Sequence, residues 1–496
     1  MGLDVHYLLV KTGILGFMAC LAPNEEPGLM NVHRPTERGI RQYYQSRTVV
    51  ERMTEFLGGA DLQSATAVYV AGNNGFVEFE ILPPGRLPEY LEAGLEVDRS
   101  LWDRDSLIVH IDLEYNNFDQ PAAAWLDPER AFRLQQPVLD ATLGILAEAG
   151  IAPLTLVSGR GYHLTWAVRR DSNTFCRLIR IGRVPPSLQA RYAQFRSPLG
   201  WSVDREMGRA FAGLGLLMEF IWHRVLAASA ANSALSIQPT AIEVGPGEHG
   251  REIVSFDISE YGDPLHTRQI RLPFSAYLKP RQFEWMLGEE GVRRLLPIFE
   301  IPLSGMTTKQ AIAAARDPDQ ALDLARCTSV RIPDASAAME NLLNAYEASP
   351  LSTFHDRFYS QLSEPAGGPR EKSISDAPAC AQWLLEYPND WLLKPAALQH
   401  IVRVLMALDW TPASIARLIS ATYLKDYGWG DLWTRLDPCN RAIYYTRLFA
   451  GMIAAGADTL IDFNCASHKE KGYCMIPECP ANLVTYRDRL LRRERR

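Results

Sequence analysis

The sequence predicts an α+β protein in which a mixed α and β part is followed by a helical C-terminal part. Two observations support this prediction. Apolar runs of strand length alternate with helical patterns in the first part of the 496-residue chain, and helical patterns dominate from about residue 281 onward. A chain of this length is long enough for two to four domains. We expect an α+β domain over 1–330, a linker region over 331–375, a helical domain over 376–460, and a Cys/His motif with a basic tail over 461–496.

Composition narrows the class of protein. The formal net charge of -7 argues against a protein that coats nucleic acid with its whole surface, although a local basic groove stays compatible with it. No run approaches the ~20 apolar residues that a membrane span needs. The N-terminal stretch lacks the basic region and the cleavage site of a signal peptide. We therefore expect a cytoplasmic protein without a membrane partner.

The stretch Ser106–Asn117 starts as an apolar run, which predicts a buried strand, and then carries Asp112 and Glu114. Residues at i and i+2 of a strand point to the same face. Two buried carboxylates on one face repel each other and lose hydration, so they need compensation. A divalent metal would supply it. The alternative is a strand end that runs into a solvated turn.

A third carboxylate, Asp257, ends another apolar strand that starts at Glu252. Three carboxylates are enough to hold two divalent cations, which can activate an attacking oxygen and stabilise a leaving one in phosphoryl transfer. Mg²⁺ suits so sparse a ligand set because it keeps waters and substrate phosphates as its other ligands. Asp263, six residues later, is the competing position for this third ligand, and a solvated strand-end turn is the alternative role for Asp257.

A glycine turn between two predicted strands suits an anion such as a triphosphate. Its glycines let the backbone approach an anion closely, and its side chains add donors. The residues of this turn are Ser158, Gly159, Arg160, Gly161, Tyr162 and His163. Downstream, Arg271 and Lys279 either neutralise phosphates or lie on a solvated surface. A tight hairpin with an incidental histidine is the alternative for the turn.

These motifs, in this order, resemble those of the archaeo-eukaryotic primase superfamily. The chain has a strand ending Asp-x-Glu, then Ser-Gly-x-Gly-x-His between strands, then a strand ending in Asp followed by Arg-Leu-Pro-Phe-Ser. The form Asp112-Leu113-Glu114-Tyr115-Asn116 is similar to the primase-polymerase branch, and the likeness covers roughly residues 60–290. The resemblance implies a primase-type catalytic core of RRM-like mixed sheets with flanking helices.

The resemblance also implies roles for individual residues. Asp112, Glu114 and Asp257 would hold two catalytic Mg²⁺ or Mn²⁺ ions. The nucleotide phosphates would be bound by the turn, chiefly through Ser158 and His163. Gly159, Gly161, Arg160, Arg271 and Lys279 would assist.

A cluster of metal-ligand types stands near the C-terminus. Cys465, His468, Cys474 and Cys479 lie within fifteen residues of one another, which suits tetrahedral structural zinc. An iron–sulfur cluster, of the kind that large primase subunits carry in a helical domain, is the alternative, with Cys439 as an extra thiolate. Unligated cysteines are the third interpretation.

The sequence therefore predicts a template-directed nucleotidyltransferase, a DNA primase and/or DNA polymerase that uses NTPs or dNTPs. Its partners would be a single-stranded DNA template and a helicase or another replication protein. The helical domain would grip the template, while core packing is the expected role for most of its tryptophans. Two alternatives stay open: a catalytically inactive nucleic-acid-binding subunit or defence scaffold, and a metal-dependent phosphohydrolase.

Overall fold

The structure, a computed structural model, describes most of the chain beyond residue 34. The described residues are 35–195, 200–243, 251–262, 269–364, 373–388, 390–425, 427, 437–474, 476 and 479–494. Asp263, the competing third carboxylate, lies outside them. The N-terminal stretch, for which no signal peptide is predicted, and the final two residues of the basic tail also lie outside them.

The strands of the described residues form two sheets, one of three strands and one of six. They are β1 (Val70–Asn73), β2 (Glu96–Arg99), β3 (Ser106–Asn117), β4 (Leu154–Val157), β5 (Gly161–Arg169), β6 (Ser236–Gln238), β7 (Glu252–Asp257), β8 (Ile270–Arg271) and β9 (Ile301–Pro302). The small sheet has the order β1-β2-β8, and the large sheet has the order β6-β7-β3-β5-β4-β9. Its β6–β7 pair is parallel and its other pairs are antiparallel. β3 is thus a central strand, which explains its long apolar run.

Helices cover these sheets and make up the C-terminal part. They are α1 (Pro35–Tyr44), α2 (Arg47–Phe56), α3 (Leu87–Ala93), α4 (Ala123–Leu126), α5 (Pro128–Glu148), α6 (Asn173–Ile181), α7 (Pro186–Gln194), α8 (Arg205–Ser229), α9 (Glu284–Leu295), α10 (Thr308–Ala314), α11 (Pro318–Cys327), α12 (Ser336–Glu347), α13 (Pro350–Ser363), α14 (Ala379–Glu386), α15 (Pro395–Ala407), α16 (Pro412–Tyr423), α17 (Pro438–Ala454), α18 (Cys465–Glu470) and α19 (Leu483–Glu494). Short 3₁₀ turns connect several of them. The α+β class is confirmed.

Two helices pack behind the large sheet. α5 starts at the N-cap Asp127, which accepts a hydrogen bond from the Arg130 amide, and has proline at its first position. α8 also has an aspartate N-cap, Asp204, which accepts a hydrogen bond from the Met207 amide. It is long and apolar enough to cross a membrane, but 72% of its apolar window is buried inside the fold, where it packs against α5, α6 and β3. Among the described residues no other helix has these properties.

Two helices occupy the stretch 331–375 that was predicted as a linker region. α12 packs against α6, α8 and β5, and α13 packs against α16 and α17. Residues 365–372 of the same stretch lie outside the described residues. Helix α13 has a clear local origin, since Ser349 accepts a hydrogen bond from the Ser352 amide and Pro350 takes the first helical position. These two helices join the α+β part to the helical part by direct packing.

Candidate active site

Three of the predicted site residues lie side by side on the large sheet. Asp112 on β3 is directly opposite His163 on β5 and, on the other side, directly opposite Asp257 on β7. Residues directly opposite each other in an antiparallel pair project from the same face, with Cβ atoms roughly 4.5–5.5 Å apart. All three side chains are buried. The sheet register therefore brings an imidazole and two carboxylates into one row, which we call the acidic row.

Asp257 is held by the chain that follows it. Its Oδ1 accepts hydrogen bonds from the Ser259 amide at 2.8 Å and from the Ser259 hydroxyl at 2.6 Å. Its Oδ2 accepts one from Thr240 Oγ1 at 3.3 Å. These three contacts fix the orientation of the Asp257 carboxylate.

Glu114 lies two residues beyond Asp112 on the same face of β3, opposite Gly161 and Ser255. Its carboxylate forms an ion pair with the Arg160 guanidinium, which also donates a hydrogen bond to Asn116 Oδ1 at 3.3 Å. Arg160, predicted as a helper in phosphate binding, is thus paired with a predicted metal ligand.

The glycine turn closes the β4–β5 hairpin, where the Ser158 amide donates a hydrogen bond to the Gly161 carbonyl at 2.8 Å. Ser158 is buried. A Cβ on Gly161 would collide with the Leu113 carbonyl oxygen of β3, and a Cβ on Gly159 would lie 2.5 Å from the Tyr277 ring. Close packing therefore explains why glycine stands at both positions, whether or not the turn also binds an anion as the sequence predicts.

His163 is oriented by a carboxylate that the sequence did not single out. Its Nδ1 lies 2.7 Å from Oε1 of the fully buried Glu300, and its Nε2 lies 3.6 Å from Asp112 Oδ1. Burial alone would lower the pKa of His163, but Glu300 and then Asp112 outweigh it and raise that pKa to about 9. The only sequence signal for Glu300 is a charged residue inside the apolar run Ile298-Phe299-Glu300-Ile301.

Arg271 and Lys279, the two other predicted phosphate-binding cations, lie apart from each other. Arg271 contacts Glu300, and Lys279 is the first residue of a 3₁₀ turn. Arg271 forms ion pairs with Glu96 and, at 3.2 Å, with Glu300, and its guanidinium lies 4.5 Å from the centroid of the Tyr277 ring. Its contact with the acidic row therefore runs through Glu300. Lys279 is partly buried.

The predicted zinc ligands lie together in the C-terminal part. Cys465, His468, Cys474 and Cys479 line one cavity of about 260 Å³. The sequence did not predict that Cys380, on α14, lines the same cavity. Cys439, the extra thiolate of the alternative interpretation, lies on α17 against Ser420 and does not line it.

Two buried histidines lie beside Cys380. The potential ligand atoms of Cys380, His400 and His468 all lie within 4.8 Å of one another, and the two imidazole rings are 3.9 Å apart. Burial, with nearby cations, lowers the pKa of His468 to about 3 and that of His400 well below its usual value. Both rings are therefore neutral at pH 7, which is the form that binds metals. Neither ring nitrogen of His400 has a hydrogen-bond partner within the described structure.

The chain matches no known family model, and no curated protein is significantly similar to it.

Proposed function

We propose that this chain is a template-directed nucleotidyltransferase, a DNA primase and/or DNA polymerase that adds NTPs or dNTPs to a strand paired with single-stranded DNA. The observation that carries the proposal is the acidic row, in which Asp112 lies between His163 and Asp257. The order of the sequence motifs, with their likeness to primase-polymerases, supports the same function.

The donor set fits divalent metal. Two opposed, buried carboxylates repel each other, and a bound cation removes that repulsion. Asp112 and Asp257 would be the first two ligands. Glu114 would become the third ligand once the Arg160 guanidinium leaves its carboxylate, for example to pair with a phosphate of the nucleotide. Two Mg²⁺ or Mn²⁺ ions held there would supply activation of the 3′-hydroxyl and neutralisation of the phosphates.

The protein's own groups would orient the nucleotide. His163, held at Nδ1 by Glu300, has its Nε2 3.6 Å from Asp112, where it would donate a hydrogen bond to a phosphate oxygen. Ser158 and the backbone of the glycine turn lie in the loop that leads into the strand of His163. Fixing the triphosphate against the 3′-hydroxyl removes much of the entropic part of the barrier, which is the main protein contribution in phosphoryl transfer.

Extension of a labelled primer–template, and of bare single-stranded template, with Mn²⁺ or Mg²⁺ tests this proposal. Wild type should lengthen the strand and release pyrophosphate, and the Asp112→Ala, Glu114→Ala double variant should do neither. Release of inorganic phosphate without strand growth would indicate a phosphohydrolase. Tight DNA binding with neither product would indicate an inactive binding subunit.

We also propose a metal centre in the cysteine cavity, and its dimensions favour an iron–sulfur cluster over the predicted zinc. A single tetrahedral zinc with Zn–S distances of about 2.3 Å draws its sulfurs to within ~4 Å of one another. Among the described residues, the ligand atoms that all lie within 4.8 Å of one another belong to Cys380, His400 and His468. This group contains one of the four cavity thiols. Four thiols that line one cavity without meeting at one point suit a polynuclear cluster, whose thiolate ligands stand further apart than those of a single zinc.

A further inference from the structure

The chain that follows Asp257 lies between the acidic row and the helical C-terminal part. It consists of Ile258 and the 3₁₀ turn Ser259–Gly262. On one side, Ser259 donates two hydrogen bonds to the Asp257 carboxylate. The position of that carboxylate therefore depends on the position of this turn.

The turn is fixed to β3 by a side chain that takes the place of a strand. β7 stops pairing with β3 at Asp257, opposite Asp112. Beyond that point, the Tyr261 hydroxyl donates to the His110 carbonyl at 2.8 Å and accepts from the His110 amide at 3.1 Å. Tyr261 thus continues the hydrogen bonding of the sheet edge two residues from Asp112.

Helix α17 of the C-terminal part holds the other side of the same turn. The hydroxyl of the buried Tyr444 donates a hydrogen bond to the Ile258 carbonyl at 2.5 Å. The side-chain amide of Asn440 donates one to the Gly262 carbonyl. The Tyr444 ring also packs so closely on Gly262 that a Cβ there would lie 2.7 Å from it. Both ends of the turn are therefore bound by one face of α17.

The helix is itself anchored to the α+β part. Its residue Arg447 forms a buried ion pair with Glu219 of α8, with Nε 2.9 Å from Oε2. Its N-cap Asp437 accepts a hydrogen bond from the backbone amide of Asn440 at 2.6 Å. It accepts another from the hydroxyl of Ser187, on α7 of the α+β part, at 3.1 Å. These contacts give α17 a fixed position from which Asn440 and Tyr444 reach the turn.

We propose that Asn440 and Tyr444 are positioning residues of the active site: through the turn Ser259–Gly262 they fix Asp257, so that the helical C-terminal part sets the affinity of the acidic row for divalent metal. This inference rests on the proposed function, and it adds a role for the C-terminal part besides gripping the template. Partners that orient metal-ligating carboxylates typically contribute 10–100-fold in metal affinity.

The test is Tyr444→Phe in the full-length chain, which keeps the ring and removes the hydrogen bond. Mn²⁺ binding is measured directly by electron paramagnetic resonance, and the Mn²⁺ dependence of primer extension is measured beside it. We expect the dissociation constant and the half-saturating Mn²⁺ concentration to rise by about tenfold, with kcat at saturating Mn²⁺ close to wild type. Asn440→Ala should act in the same direction.

Tyr423→Phe is the matched control, because the Tyr423 hydroxyl donates an equally short bond of 2.5 Å to the Leu392 carbonyl, also in the C-terminal part. It should leave Mn²⁺ affinity unchanged. Equal Mn²⁺ affinity in wild type, Tyr444→Phe and Asn440→Ala would overturn the positioning role, as would an equal loss in Tyr423→Phe. Failure of the proposed function is distinguishable, because wild type would then extend no primer, while the Mn²⁺ affinities of wild type and Tyr444→Phe would still test the positioning role.

Discussion

Asp112 and Asp257 lie directly opposite each other on neighbouring strands, although they are far apart in the sequence. Each follows a run of apolar residues in its strand. Because those residues pack in the core and pair in register, the two aspartates come to lie in the same buried row. His163 flanks Asp112 on the other side. The proposed two-metal nucleotidyl transfer rests on this pair of opposed, buried carboxylates and on the imidazole beside it.

Glu300→Gln tests the orientation of His163. The change removes the negative charge that holds Nδ1 and keeps the shape of the side chain. A hydrogen bond to a charged group contributes about 1.5–3 kcal/mol, so we expect the KM for nucleotide to rise by about tenfold or more. Steady-state kinetics measure this. Glu290→Gln is the control, since Glu290 forms exposed ion pairs on α9; an equal effect in both variants would refute the role of Glu300.

Gly161→Ala should lower the free energy of unfolding by at least about 2 kcal/mol, because its Cβ meets the Leu113 carbonyl in the middle of the sheet. Gly144→Ala, on α5 with open space around it, should be neutral or stabilise by up to about 1 kcal/mol. Urea denaturation compares the two. A neutral Gly161→Ala would mean that β3 and β5 do not pair in this register.

Stability should fall as the pH drops below 6.5, in part because two groups on α8, the half-buried His223 and the buried Glu219, have lowered pKa values. Burial lowers the pKa of His223 to about 4, so the unfolded chain takes up that proton first and the stabilisation is lost between pH 6.5 and 4. Burial would raise the pKa of Glu219, but Arg447 and then His355 outweigh it and lower that pKa to about 2, so the contribution of Glu219 is lost between about pH 4.5 and 2. Thermal denaturation from pH 7 to 4 measures the first loss, which His223→Phe should reduce. An unchanged pH profile in that variant would contradict the assignment.

Cys380→Ser should remove the metal of the cysteine cavity, because Cys380 lines it with the three C-terminal cysteines. The purified wild-type chain should contain iron and absorb visible light, and the variant should lose both and melt at lower temperature. Cys439→Ser, outside the cavity, is the control. Zinc without iron in wild type, kept in Cys380→Ser and lost in His468→Ala, would instead support the four ligands predicted from sequence.

The sequence predicted the residues of the acidic row but not their partners. Asp112, His163 and Asp257 were visible because polar groups interrupt or end apolar strands, which is a local signal. Glu300 was not, because its contact with His163 spans 137 residues and depends on where β9 joins the sheet. Cys380 and His400 lie on separate helices from the C-terminal cysteines, so no spacing rule connects them.

The predicted linker region shows a different difficulty. The linker prediction rests on the run Pro365-Ala366-Gly367-Gly368-Pro369, whereas the apolar residues of α12 and α13 precede that run, and Ser349-Pro350 is a helix start signal. The packing of these helices on both parts of the chain depends on tertiary contacts. Sequence patterns identify such faces but not the surfaces that cover them.

Primer extension by Asp112→Asn tests the central claim most directly. Asparagine keeps the size of the side chain and its place between His163 and Asp257, and removes the charge that metal binding needs. Asp140→Asn, on the exposed face of α5, is the matched control. With Mn²⁺ present, wild type and Asp140→Asn should extend a primer at equal rates, and Asp112→Asn should be slower by a factor of roughly 10²–10³. Extension by Asp112→Asn at the wild-type rate, or no extension by any of the three, would contradict a nucleotidyl-transfer site at the acidic row.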